Sequence, residues 1–382
     1  MKLRFIRVRN FRNHTGTTLD CADRCNLLLG DNGQGKTNLL EAIAYLSLTK
    51  SAFGCSDTTV VAIGKDFLEV EGKFHSDADT ETEVRIAYSA VAGEKSVTLN
   101  QKRIGRFSDA LGLFPIVVLS PEHHAITLGA PADRRKFVDF VLSQASKSYL
   151  LDLLEYRRAL KQRNRLLQDQ GVARGEPSTS LEAWDEELIR YGSRLVYARL
   201  EFLKSFQPYF QQAYAGLIEG TEEPRVRYVS TIGETQTTLE NIVDKAEAER
   251  LFREALGDTE ADDLRVGMTL VGPHRDDLSF TINGLDVRKY ASQGQHKTLL
   301  IGLKAAEFDY LKKLRQETPM MLLDDVFGEL DDTRSRLLLS FLETVGQTFI
   351  TAARDSIFNT LSDNRCRRFY VANGALLQLR VS

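Results

Sequence analysis

The chain has 382 residues, 42% hydrophobic and 27% charged, enough to bury a large core and longer than one core usually holds, so two lobes are expected. A formal net charge of −3 excludes a surface coated uniformly in lysine but leaves room for a local basic face toward nucleic acid. No apolar run approaches a membrane span, the first residues lack a signal-peptide core, and Cys21, Cys25, Cys55 and Cys366 match neither a zinc spacing nor a disulfide framework. Reduced thiols, a cytoplasmic location and no membrane partner are expected.

Residues Met1 to Arg9 alternate apolar with basic side chains, the pattern of a half-buried strand, and Asn10-Phe11-Arg12-Asn13-His14 follows as a polar and aromatic turn. Next comes the apolar run Leu27-Leu28-Leu29, then Gly30-Asp31-Asn32-Gly33-Gln34-Gly35-Lys36-Thr37, then the apolar segment from Leu39 to Leu46. Strand, glycine loop and helix make a triphosphate cradle. The glycines let consecutive N–H groups face inward, Lys36 reaches the β- and γ-phosphates, Thr37 ligates magnesium, and the helix N-terminus favours the anion. The candidate nucleotide contacts are therefore Gly30, Asp31, Asn32, Gly33, Gln34, Gly35, Lys36, Thr37 and Asn38, with a nucleoside triphosphate and Mg2+ as the expected ligands.

From Phe67 to Leu99, short alternating runs separated by Asp, Gly and Ser predict antiparallel strands with one wet face. A buried strand near Leu113–Leu119 ends at Ser120-Pro121-Glu122-His123-His124, after which helical periods dominate. His123 and His124 are adjacent, point apart on either periodicity, and are expected to be polar histidines with protein partners. Leu150, Leu153, Leu154, Leu160 and Leu167 mark one long helix; Leu181, Trp184, Leu188, Tyr191, Leu195, Ala198 and Phe202 mark a second at heptad spacing. The breaker-rich segment from Gly171 to Ser180 between them predicts a short antiparallel hairpin. The expected division is a phosphate-loop lobe over residues 1–112, a helical lobe over 113–264, and the second part of the phosphate-loop lobe over 265–382.

Two further clusters carry chemistry. Ser292-Gln293-Gly294-Gln295 caps a periodic helix, and its hydroxyl, glycine N–H and helix N-terminus form a second anion site. The apolar strand Pro319 to Leu323 ends in Asp324 and Asp325, which leave it on opposite sides. Asp324 can hold magnesium, and Asp325 can orient or deprotonate an attacking water. The strand Thr348 to Ala353 brings Thr351 and Arg354 toward the same sheet edge, where ligands of open α/β sheets collect.

Phosphate loop, long insertion, Ser-Gln-Gly-Gln, apolar strand with Asp-Asp, and Glu329-Leu330-Asp331 resemble the ATP-binding-cassette heads of the SMC superfamily. The chain is similar, nearly end to end, to the RecF family of bacterial recombination-repair ATPases. The shared strings are Asn10 to Asn13, Gly30 to Thr37, Ser120 to Glu122, Gly129 to Pro131 with Arg134 and Arg135, Lys161 to Asn164, Gly272 to Asp277, and Ser292 to Gln295. The resemblance implies an α/β ATPase head of the ABC type with an inserted, mainly helical lobe. It also implies ATP closed over by the Ser292 segment of a second subunit, Arg12 beside the nucleotide, Asp324 on magnesium, Asp325 at the water and Asp331 at the dimer seam. The implied function is DNA binding in recombinational and replication-gap repair, with ATP-driven homodimerisation, slow hydrolysis, and work with RecO and RecR to place RecA on gapped DNA. Gln293 stands where cassette signatures usually have glycine, and Thr351-Ala352-Ala353 where many have a histidine that senses the γ-phosphate.

DNA contact must come from local charge. Arg134, Arg135 and Lys136 form one group and Arg157, Arg158, Lys161, Arg163 and Arg165 another, of which Arg157, Lys161 and Arg165 share a helix face at spacing four. No element suits base readout, so binding independent of sequence is expected. The alternatives are a transporter cassette, which the helical insertion disfavours, and a passive clamp held by ATP, which the second carboxylate Asp325 disfavours.

Overall fold

Ten strands and helices before His124 follow the alternation of the sequence: β1 (Lys2–Phe11), β2 (His14–Asp20), β3 (Cys25–Leu29), α1 (Lys36–Leu48), α2 (Asp57–Val60), β4 (Phe67–His75), β5 (Glu81–Ser89), β6 (Glu94–Leu99), β7 (Lys102–Arg103) and β8 (Ile116–Leu119). Then come α3 (His124–Leu128), α4 (Pro131–Ala145), α5 (Lys147–Val172), α6 (Thr179–Ala215), β9 (Pro224–Val229), α7 (Lys245–Asp258), α8 (Glu260–Val266), β10 (Asp277–Ile282), β11 (Leu285–Asp286), α9 (Val287–Tyr290) and α10 (Gln293–Arg315). The chain closes with β12 (Met320–Asp324), α11 (Asp332–Thr344), β13 (Thr348–Ala352), β14 (Cys366–Ala372) and β15 (Ala375–Leu377). This computed structural model describes residues 1–172, 179–218, 220–232, 244–355, 358 and 366–377. It divides into one unit of Met1–His123, Gly216–Ile218 and Leu300–Ser382 and another of His124–Ala215 and Glu219–Leu299.

The first unit has two sheets. In the antiparallel sheet the order is β2-β1-β4-β5-β6-β7, and Leu3, Ile6, Val8, Leu68, Val70, Val84, Ile86 and Val97 are buried on one face. In the second the order is β15-β14-β3-β13-β12-β8, with β3, β8, β12, β13 and β14 running parallel and β15 antiparallel at the edge. The four- to five-residue runs of β3, β8, β12 and β13 are almost wholly apolar because both faces of a parallel sheet are covered. All four read as strands in the sequence. The thiol expectation is corrected at one pair: Cys25 and Cys366 are register partners on β3 and β14, and their sulfurs are joined. Their separation of 341 residues hid a pairing that only the parallel strand order creates.

The second unit is mainly helical. Leu153 and Leu167 of α5, and Leu188, Leu195 and Phe202 of α6, are buried as the stripes predict, whereas Leu154 is half exposed. Ion pairs link Asp152 to Arg194 (3.3 Å) and Arg163 to Asp185 (2.5 Å), so α5 and α6 run in opposite directions. Residues 173–178 of the breaker-rich connection lie outside the described residues. A three-stranded sheet of order β11-β10-β9 completes the unit. Among the described residues no helix is long and apolar enough to cross a membrane.

Candidate functional site

The phosphate loop leaves the buried strand β3 and turns into α1 through backbone that only glycine tolerates. Gly30 has φ +150° and a Cβ there would lie 2.3 Å from the Val371 carbonyl oxygen, while Gly35 has φ +109° and a Cβ would strike the Asn13 side chain at 2.6 Å. Lys36 is 7% exposed, and its Nζ donates to the carbonyls of Gly30 (2.6 Å) and Asp31 (2.8 Å). A buried ammonium and a helix N-terminus thus share one loop, an arrangement that favours a phosphate.

Distant residues of the same unit brace the loop from outside. Asn13 donates to Gln34 O (3.2 Å) and accepts from Asn38 Nδ2 (2.9 Å). The His14 Nε2–H donates to Gly35 O (2.9 Å), its Nδ1 faces the Thr17 hydroxyl (2.8 Å), and burial holds this imidazole below its usual pKa. The Gly374 N–H donates to Gln34 O (2.9 Å) and the Asn373 N–H to Gln34 Oε1 (2.7 Å). Sequence reading marked the turn of Asn13 and His14 but missed Asn373 and Gly374. The signal was there, because Asn-Gly between apolar runs is a hairpin signature.

The sheet order sets β13 between β3 and β12, and this joins the loop to the acidic strand end. Asp324 Oδ1 accepts from Thr37 Oγ1 and from Thr351 Oγ1, each at 2.7 Å, and Thr351 Oγ1 accepts from the Asp325 N–H at 2.9 Å. Asp324 is 7% exposed, whereas Asp325 is exposed and sits at φ 48°, which turns it off the strand. A hydroxyl and a carboxylate at hydrogen-bonding distance are an oxygen-only donor pair, suited to magnesium completed by phosphate and water. The donor set fits the expected ion.

Arg12 takes another course. Its guanidinium donates to Glu41 of α1 (2.8 and 3.2 Å) and to the Cys55 sulfur (3.0 Å), and the hydrogen bond to Glu41 raises its pKa. In the second unit, Ser292 Oγ accepts from Gln295 N (3.2 Å) and Gln295 Oε1 accepts from Ser292 N (2.9 Å), a reciprocal cap on α10. Gln293 and the Ser292 side chain are exposed, and Gln295 also donates to Glu222 (2.8 Å). Asp331 caps α11 in the first unit, where the Arg334 N–H (2.8 Å) holds its carboxyl below the usual range.

Two expected DNA cations are corrected. Arg134 is fully buried and grips both oxygens of Asp277 (2.7 and 2.9 Å), and Arg163 is fully buried between Asp185 and Asp263, each at 2.5 Å. Arg157, Arg158, Lys161 and Arg165 are exposed. The Gly272–Asp277 string, to which the sequence assigned no mechanism, is a structural knot. Asp276 accepts from Tyr228 Oη (2.6 Å) and from Thr231 N (2.7 Å) and Oγ1 (2.8 Å), and its burial raises its pKa. His274 Nδ1 meets Tyr156 Oη (2.6 Å), its Nε2 meets Thr269 O (3.1 Å), and Arg199 reaches the Pro273 carbonyl (2.7 Å) and Asp139 (2.8 Å).

The family model described as RecF/RecN/SMC N terminal domain matches residues 2–376. The protein of Chloroherpeton thalassium named DNA replication and repair protein RecF is 42% identical over 361 residues, covering 94% of this chain and 96% of its own. Its namesake in Salinibacter ruber is 40% identical, with 94% and 86% covered. A solved structure of the recombination mediator protein RecF with ATPrS in the RecFOR pathway superposes with a TM-score of 0.89 at 32% identity, covering 99% of this chain and 98% of that one. An Smc head bound to the C-winged helix domain of ScpA, at TM-score 0.55 and 14% identity, shares the fold, with 100% and 98% covered.

Proposed function

The chain belongs to the RecF family, and from that premise we propose that it is a DNA replication and repair protein that binds ATP with magnesium at the Gly30–Thr37 loop and hydrolyses it slowly. In this reading ATP holds two copies together on DNA, hydrolysis releases them, and the dimer works with RecO and RecR to place RecA at gapped DNA. The names of the relatives and the ATP-family ligand of the superposed structure support it. The observation that carries it is the 2.7 Å bond between Thr37 and Asp324, residues 287 positions apart, on the C-terminal side of β3 and β12.

Each residue then has a role. Lys36 and the loop N–H groups bind the phosphates, and Thr37 with Asp324 would hold magnesium, which when bound neutralises charge developing on the transferred phosphoryl. Thr351 fixes the Asp324 carboxylate and the Asp325 backbone together, so that Asp325 projects to orient the attacking water and accept its proton. Ser292, Gln293, Gly294 and Gln295 offer an exposed helix N-terminus to the γ-phosphate of a second copy, and Asp331 lies at the dimer seam. Arg12 is released from Glu41 to approach the nucleotide. Arg157, Lys161 and Arg165 follow a DNA backbone.

Complementation tests the composite site. Lys36→Met alone and Ser292→Arg alone should not turn over ATP. In a two-fold dimer of one mutant with the other, one site carries both lesions and the second is intact. With random pairing, about a quarter of wild-type turnover should return if sites act independently. No recovery, with mixed dimers shown by sedimentation, would overturn action in trans with independent sites.

A further inference from the structure

The wet face of the antiparallel sheet is untouched by the roles assigned above. Register sets Thr18, Arg7, Glu71, Arg85, Thr98 and Arg103 in one row across all six strands, and Arg9, Glu69, Ala87 and Ser96 in the next. Their sequence neighbours Ile6, Val8, Val70, Val84, Ile86 and Val97 are buried, so by alternation these rows face solvent. The carboxylates lie low and the guanidiniums stand above them. Glu69 and Glu71 are 11% and 15% exposed, whereas Arg7, Arg9 and Arg85, which hold them, are 41%, 52% and 50% exposed. Arg103 of β7 and Lys73 of β4 are exposed and make no ion pair among the described residues.

A guanidinium has five N–H donors, so an arginine anchored on one carboxylate still presents donors outward. We propose that this face binds the phosphate backbone of nucleic acid without reading bases, as a contact distinct from the α5 cations; it rests on the reading of the chain as a DNA-binding protein. Four strand spacings separate Arg7 from Arg103, about 19 Å, enough for several phosphates. Phe67 at the margin and Val91 in the β5–β6 turn are exposed and Phe5 is half-buried beneath the Arg7 guanidinium, scattered apolar side chains that do not make the apolar centre of a protein interface.

The test measures duplex binding by anisotropy with ATP across a salt series. Arg103→Glu with Lys73→Gln removes cations that hold no carboxylate, so folding and ATP turnover should persist. The slope of log affinity against log salt should fall by roughly 0.9 per lost contact, one to two in total, while Arg103→Lys alone keeps it. Wild-type slope and affinity in the double variant would overturn this face alone, since the wild type still binds. No duplex binding by the wild type in any nucleotide state would overturn the DNA-binding reading and this inference with it. Loss of poly-L-glutamate binding with duplex binding intact would reassign the face to an acidic protein. Self-association of Arg103→Gln, again with duplex binding intact, would make that cation a guard of the β7 edge instead.

Discussion

At the phosphate loop, Asp325 is exposed, Lys36 holds two carbonyls of its own loop, and Thr37 and Thr351 converge on a single oxygen of Asp324. Around Arg199 in the second unit the same chemistry is closed. All three guanidinium nitrogens are engaged, by Tyr149, Tyr228, the Pro273 carbonyl and Asp139, and the side chain is almost wholly buried. Both regions are charge-rich and glycine-led, but one converges its donors on a site a ligand can reach, whereas the other spends them on protein. A glycine-led charged string is therefore a ligand site only where its polar groups meet at a surface a ligand can reach, and Gly272–Asp277, with Asp276 only 1% exposed, fails that condition.

Exchanging the lesions should break the symmetry. Arg199→Met takes from Asp139 its buried cation, leaving it only the exposed Arg157 (3.0 Å), and removes the nearby positive charge from buried Asp276; it should cost about 3 kcal/mol, read as a lowered unfolding midpoint in Trp184 fluorescence, with nucleotide affinity of the folded fraction unchanged. Trp184 is the only tryptophan of the chain and lies on α6, so it reports the second unit. An unshifted midpoint would show that the closed network is not what holds that unit. Lys36→Met should do the converse. It should weaken ATP binding about a hundredfold, near 2.7 kcal/mol, by fluorescent-nucleotide titration while the midpoint without nucleotide barely moves. Retained affinity would remove Lys36 from the phosphates.

What the sequence disclosed follows the same divide. The phosphate loop and the Asp324-Asp325 strand end were legible because each is a local spacing on one strand, loop or helix, and the parallel-strand runs implied a sheet able to join them. Arg134 and Arg163 were misread because basic residues on a helix usually face water, and their acids lie far along the chain, at Asp277 and at Asp185 and Asp263. Helical phase held a clue for one of them: Arg163 is seven residues after Tyr156, itself buried, and so lies on the inward stripe of α5. Arg12 was placed beside the nucleotide by the family resemblance, and nothing local announced Glu41 as its partner. The knot at Gly272–Asp277 draws on α4, α5, α6 and β9, a convergence that no single stretch of sequence displays.

The smallest expected effect is one of pH, and it belongs to the closed region. Burial, first, and the nearby cations Arg275, Arg135 and Arg199 bring the pKa of His274 down to about 4, against the hydrogen bond to Thr269 O that opposes the shift. The neutral ring fits its partners, since Nε2–H can donate to Thr269 O while Nδ1 accepts from Tyr156 Oη. An imidazole in the unfolded chain protonates near pH 6.5, so the unfolded state binds the proton first as pH falls. Stability from this group is therefore complete above about pH 6.5 and is lost progressively until the folded ring also protonates near 4; between pH 7 and pH 5 the loss is about 2 kcal/mol. Buried His14, also held below its usual pKa, adds in the same direction, and restricting the range to pH 5 and above keeps most carboxylate titration out of the comparison. Urea midpoints of Trp184 fluorescence at pH 7, 6 and 5 should fall for the wild type and fall less for His274→Gln, which starts lower but cannot protonate. Equal pH slopes in the two proteins would show that His274 is not held neutral by the network, and would open the second unit to the reading now reserved for the first.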